Sequence, residues 1–228
     1  MWLLNSSIGR KLVMSLSGFF LILFLTFHAT MNVVAVFSDE AYNLICSILG
    51  ASWYAVAGTM ILAAGFLVHI IYSIWITLQN RKARGVSRYA ISDRPKSVEW
   101  ASQNMFVLGL IVVCFIGLHL TQFWYKMMFA ELTGNHSVTL GGDTLSVHDG
   151  AAFIRYYFSN IVVVCLYLVW YVALWFHLTH GFWSAIQTVG FSNGAWLKRW
   201  QVVSNLFATL VCGAFAFVTV FFYLKSIF

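Results

Sequence analysis

Of the seven histidines in this 228-residue chain, His28, His69, His119, His177 and His180 lie inside long apolar runs. An ionisable side chain at membrane depth is costly and usually marks a functional site. A neutral imidazole offers one nitrogen lone pair and is a common metal ligand. Taken singly, each of the five could instead be a hydrogen-bonded interior polar group. The other two, His136 and His148, fall in a Gly- and Asp-containing stretch from 133 to 150 and read as solvated loop residues.

The elements that must position these histidines are apolar helices. The chain is 61% hydrophobic and only 9% charged, with a mean hydropathy of +0.83. A soluble domain carries about 25% charged residues, so an ordinary soluble core is excluded. Proline occurs once, at Pro95, as long uninterrupted helices require. The sequence predicts an all-α integral membrane protein, a single domain over 1–228. Its five spans are expected at about 11–37, 53–79, 97–129, 153–188 and 197–226. Asn5-Ser6-Ser7 reads as a cap before the first span. Arg10-Lys11 ahead of an apolar run could imitate a signal peptide, but the run is long enough to span and no small-residue cleavage pattern follows. Asp93-Arg94-Pro95 reads as a turn closing the charged segment between the second and third spans.

Charge sets the expected orientation. Arg10, Lys11, Arg81, Lys82, Arg84, Arg88, Arg94, Lys96, Lys198 and Arg199 gather on one side of five alternating spans, against Lys126, Arg155 and Lys225 on the other. The N-terminus is therefore expected in the cytoplasm and the C-terminus outside. No basic run interleaves with exposed aromatics, so nucleic acid is not an expected partner. Cys46, Cys114, Cys165 and Cys212 have no metal-ligand spacing and read as small apolar residues.

Depth then sorts the histidines. At 1.5 Å per residue, His28 lies about 27 Å along the first helix and His119 about 30 Å beyond Glu99, both toward the outer face. His69 lies about 18 Å from Arg81, and His177 about 15 Å before Gln187, both toward the inner face. This makes two pairs, each drawn from two helices. Two axial imidazoles are what a haem iron needs, and haem b has no covalent attachment, so the absence of Cys-x-x-Cys-His is no objection. Zinc ligands would converge at one depth. The second helix reads His69, Trp75, Gln79 and the fourth His177, Trp183, Gln187, at equal offsets. The match favours His177 over His180 as ligand, and His180 is left to meet a haem propionate or a quinone. Gly65, Gly117 and Gly181 stand near histidines and could admit a flat macrocycle, or could serve helix packing.

With these residues in place the chain resembles a known family, the single-chain di-haem cytochrome b membrane anchors of succinate dehydrogenase and fumarate reductase. The likeness covers nearly the whole chain. It is carried by Ser6-Ser7-Ile8-Gly9-Arg10-Lys11, Ser17-Gly18, His28-x-x-x-Asn32, Glu40-Ala41-Tyr42-Asn43 and His177-Leu-Thr-His-Gly181-Phe-Trp183. The resemblance implies a five-helix bundle holding two haems b, one on His28 and His119 and one on His69 and His177. It implies a flavoprotein and an iron–sulfur subunit on the cytoplasmic face, and a quinone, often menaquinone, as electron partner. By position, Ser15, Arg10, Lys11 and Gln187 could meet the inner haem's propionates. Some members use a carboxylate at an outer quinone site; here the first outer loop offers Asp39 and Glu40.

The chain itself would be a non-catalytic subunit, since it has no dinucleotide glycine fingerprint and no cysteine ladder for iron–sulfur clusters. A cytochrome b of another quinone-linked complex, such as a hydrogenase or formate dehydrogenase, is the alternative. A transporter would show Gly/Pro-interrupted half-helices and a buried charge, and neither is seen. Sequence sets neither the working direction nor whether complexes pair as dimers.

Overall fold

The computed structural model describes residues 6–84 and 100–228. Five of its helical stretches are long and apolar enough to cross a membrane, and the chain is a multi-pass membrane protein. The first, α1 (Ser7–Phe37), is capped by Ser6, whose Oγ accepts from the Gly9 N–H at 2.9 Å. Ser38 ends α1 in extended backbone and caps α2 (Asp39–Ile48), its Oγ accepting from the Ala41 N–H at 3.0 Å. That short helix is amphipathic, with Asp39 and Glu40 in its first turn, where the helix dipole favours acids. Next comes α3 (Trp53–Arg84), which carries the second span into the basic residues that were expected to follow it. The Asp93-Arg94-Pro95 turn, Arg88 and Lys96 lie outside the described residues.

The third span departs from a uniform α-helix. It runs as α4 (Trp100–His119), then as a π-helical segment Leu120–Phe129, and ends in the single turn α5 (Ala130–Leu132). The fourth differs too. The expected helix from 153 to 188 is two helices, α6 (Gly150–Phe158) and α7 (Ile161–Thr188). Asn160 sits between them in extended backbone, and its Oδ1 accepts from the N–H groups of Val162 and Val163. An N-cap of this kind starts a new helix. The stretch before α6, expected as loop, holds an antiparallel hairpin of β1 (Ser137–Leu140) and β2 (Asp143–Ser146). Its two-residue turn, Gly141-Gly142, has φ of 62° and 101°, which glycine adopts without strain. The last span is α8 (Leu197–Ile227).

The fourth span is the most buried of the five. It lies between α4 and α8 and also meets α1; α3 packs on α1, while α3 and α4 barely touch. Two polar clasps fasten α7 to α8. Ser204 Oγ donates to the Thr179 carbonyl at 2.6 Å, and the Tyr171 and Thr219 hydroxyls meet at 3.0 Å. Such interhelical hydrogen bonds and close packing replace the hydrophobic drive that lipid removes.

Chain direction puts α2, the hairpin and α6 together at one end of the bundle, called here the capped end. Asn43 binds the cap to itself: its Nδ2 donates to Asp149 at 2.8 Å and its Oδ1 accepts from the Ala151 N–H at 3.0 Å. Arg155 pairs with Asp39. Burial pushes the Cys46 thiol up to about 11 and raises the Tyr42 phenol as well, so both are neutral.

Candidate functional site: two imidazole pairs

Four histidines from four spans meet as two pairs. The rings of His28 (α1) and His119 (α4) stand 5.8 Å apart, centroid to centroid, with planes at 81°. The rings of His69 (α3) and His177 (α7) stand 6.3 Å apart at 67°. The first pair lies toward the capped end and the second toward the N-terminal end. Two imidazoles that share one metal, each nitrogen about 2.0–2.1 Å from it, hold their centroids about 6 Å apart. Among the described residues no three His, Cys, Asp or Glu side chains converge. A zinc site asks three or four ligands of the protein. A porphyrin iron, already held by four pyrrole nitrogens, asks for two, and that is the donor set at each level.

Hydroxyl groups lie against Nδ1 of two of these rings and favour a proton there. Ser17 Oγ donates its one proton to the Met14 carbonyl at 3.0 Å and lies 3.2 Å from His69 Nδ1. With that proton on Met14, Ser17 accepts from Nδ1–H, the tautomer whose Nε2 keeps its lone pair for a ligand bond. The Tyr167 hydroxyl donates to Gln122 Oε1 at 2.7 Å and lies 3.4 Å from His119 Nδ1. With the phenol proton on Gln122, the Nδ1–H tautomer of His119 leaves its Nε2 free as well. Asn32 Nδ2 donates to the His28 carbonyl at 2.8 Å and also lies 3.5 Å from its Nδ1, a contact that leaves the His28 tautomer open. His177 Nδ1 is buried and has no partner among the described residues.

Aromatic rings wall the capped-end pair. Phe24 stacks on His28 at 5.4 Å and Phe215 tilts against it at 5.6 Å. Phe123 and Trp170 lie 5.1 and 5.8 Å from His119. At the other level the close neighbours are glycines. A Cβ on Gly18 would lie 3.4 Å from His69 Cε1, and one on Gly109 would lie 3.5 Å from His177 Cε1. Sequence reasoning singled out other glycines. Gly65 packs on the Phe20 ring, and a Cβ at Gly117 or Gly181 meets nothing within 4 Å.

A signal for the right glycines was present. Met14, Gly18, Phe24, His28 and Thr30 of α1 recur as Met105, Gly109, Phe115, His119 and Thr121, at identical spacing. This register joins the shorter one between α3 and α7. The chain is built as two hairpins, α1–α3 and α4–α7, each with a glycine facing an imidazole from its own partner helix.

The remaining candidates make other contacts. His180 is half-buried against Trp183, with centroids 4.9 Å apart. Ser15 is buried in α1, but it is Ser17 that reaches an imidazole. The guanidinium of Arg10 lies over Trp75 at 5.3 Å, Lys11 is exposed, and so is Gln187 near the end of α7. His136 is exposed beside the hairpin. His148 lies 3.5 Å from Glu131, whose other oxygen accepts from the Ala51 N–H at 2.8 Å. Glu131 was missed in the sequence because a single acid ending a long span looks like a solvated terminus.

Compared with family models, with curated proteins and with solved structures, the chain matches none. The likeness to the di-haem anchors therefore rests on its motifs, and several of these make defined contacts. Ser6 caps α1, Asn32 bonds back to His28, and Tyr42 donates to Asn32 Oδ1 at 3.3 Å. Asn43 clasps the cap, and Ser17 and Gly18 both face His69.

Proposed function

We propose that this chain is the membrane anchor and electron-transfer subunit of a succinate:quinone oxidoreductase, with two haems b, each held by one imidazole pair. The observation that carries the reading is the meeting of four histidines from four spans as two pairs, 5.8 and 6.3 Å between rings. Haem iron supplies one-electron transfer between its ferrous and ferric states. His28 and His119 hold the capped-end haem, and His69 and His177 the other. Ser17 and Tyr167 keep the Nδ1 proton in place, so that Nε2 stays available to iron. Phe24, Phe123, Trp170 and Phe215 exclude water around the first pair. Two levels along one bundle make a relay across the membrane, from an iron–sulfur partner at the N-terminal, cytoplasmic end toward a quinone, of the menaquinone class, in the bacterial cytoplasmic membrane. The dicarboxylate chemistry belongs to the flavoprotein partner.

The test is haem stoichiometry. The purified chain is expected to carry two extractable b haems and to give a b-type reduced-minus-oxidised spectrum. A chain expressed with haem supply that binds none overturns the reading. Coexpression with its flavoprotein and iron–sulfur partners separates this anchor from the cytochrome b of a hydrogenase or formate dehydrogenase. Succinate–dye activity should be membrane-bound only when this chain is present.

A further inference from the structure

Tyr167 is 2% exposed and reaches from α7 to the third span. Its hydroxyl joins two side chains there, Gln122 Oε1 at 2.7 Å and His119 Nδ1 at 3.4 Å. A phenol has one proton to give. The short bond to the amide oxygen takes it, and with the phenol proton there the longer contact is one in which the imidazole Nδ1–H donates to the phenol oxygen. Gln122 reaches this position from the π-helical segment that begins one residue after His119. The wider π turn redirects the side chains that follow it, and such turns occur often at functional sites. The neighbouring rings leave the phenol little freedom: Phe158 lies 5.2 Å away, Trp170 5.5 Å and Tyr171 6.0 Å. The other level is served differently. His69 has the Ser17 hydroxyl, and His177 Nδ1 has no partner among the described residues.

We propose that Tyr167, held by Gln122, is the positioning residue of His119, fixing its proton on Nδ1 and thereby setting the electron affinity of the capped-end haem alone. This rests on the haem reading given above. An Nδ1–H that donates to a polarised oxygen makes the imidazole a stronger electron donor to a bound metal. The phenol oxygen is the better acceptor because its own proton is given to Gln122. Together these favour the ferric state.

The test is the midpoint potential of each haem by optical redox titration, with the haems told apart by His28→Ala and His69→Ala. Tyr167→Phe removes the acceptor and keeps the ring. The capped-end midpoint should rise, its reduced-to-oxidised ratio at fixed poise growing about threefold to tenfold, where tenfold is about 59 mV for one electron. The other midpoint should stay. Gln122→Leu should move the same midpoint in the same direction by less, and it answers the question alone if Tyr167→Phe does not assemble. Gln122→Glu should add a pH dependence to that midpoint beyond the wild type's. Unmoved midpoints, a fall in the capped-end midpoint, or a shift confined to the other haem overturns the assignment while the haem reading stands. A wild-type chain without haem overturns both.

Discussion

Gly18 of α1 faces the imidazole of His69 so closely that a Cβ there would lie 3.4 Å from Cε1. Gly109 of α4 stands in the same relation to His177, at 3.5 Å. Each glycine also lies ten residues before a histidine of the other pair, Gly18 before His28 and Gly109 before His119. One helix thus supplies a ligand candidate at one level and a flat backbone face at the next.

That relation predicts a size threshold. Alanine at either glycine adds one carbon at ordinary contact distance and should be tolerated, with a helix-propensity gain of about 0.5–1 kcal/mol. Valine adds branches that must enter the ring's space. Overpacking of this kind costs about 1–3 kcal/mol, which is about fivefold to 150-fold in an equilibrium. Gly18→Val and Gly109→Val should each lose the haem that His69→Ala loses and retain the other, as read by haem per chain and the remaining spectrum. Equal loss of both haems would point to general unfolding and remove these glycines from the site.

The two histidines of α7 should separate cleanly. His177 meets the His69 ring, whereas His180 lies against Trp183. His177→Ala is expected to remove one haem, and His180→Ala to leave both bound. Difference spectra of the two variants decide it, and loss of a haem from His180→Ala with retention in His177→Ala would reverse the assignment.

The spans and ring levels were legible for a common reason. A fixed rise per residue converts sequence number into depth, so histidines at matching depths on facing helices can be paired from the sequence. What faces a ring across the bundle follows helix crossing instead. Hence Gly65, Gly117 and Gly181, close to histidines in sequence, are not the glycines against the imidazoles. The π-helical segment after His119 carries no Gly or Pro to announce it, and its consequence, Gln122 meeting Tyr167, was beyond reach. The break at Asn160 was weakly legible, since Ser159-Asn160 is a polar cap signal inside an otherwise apolar run. The Gly141-Gly142 hairpin was masked by being read only as loop composition.

Cys46 offers a pH test of the capped end. Burial raises its thiol from the usual value of 9.0 to about 11, and the Tyr42 phenol and Gly150 backbone beside it offset this only in part. Only the thiolate is alkylated. The rate of iodoacetamide labelling at Cys46 should therefore climb about tenfold per pH unit between about pH 8 and about pH 10 without levelling. A plateau near pH 9, read by peptide mass spectrometry, would mean that the cap is open and the thiol solvated.

The cap should depend on Asn43 more than on its ion pair. Asn43 both donates to Asp149 and accepts from the Ala151 N–H, and Asp149 in turn caps α6 by accepting from Ala152 N–H at 3.0 Å. Asn43→Ala leaves a part-buried N–H without its acceptor and frees the capping carboxylate to turn away. A lost cap and an unsatisfied donor each cost about 1–2 kcal/mol. The Arg155–Asp39 pair is about two-fifths exposed on both partners, at 40% and 44%, and exposed pairs contribute about 0–1 kcal/mol. Asn43→Ala should therefore make the β1–β2 hairpin markedly more susceptible to limited proteolysis in detergent or nanodisc, and Asp39→Asn should change it little. The reverse order of susceptibility would assign the cap's stability to the ion pair.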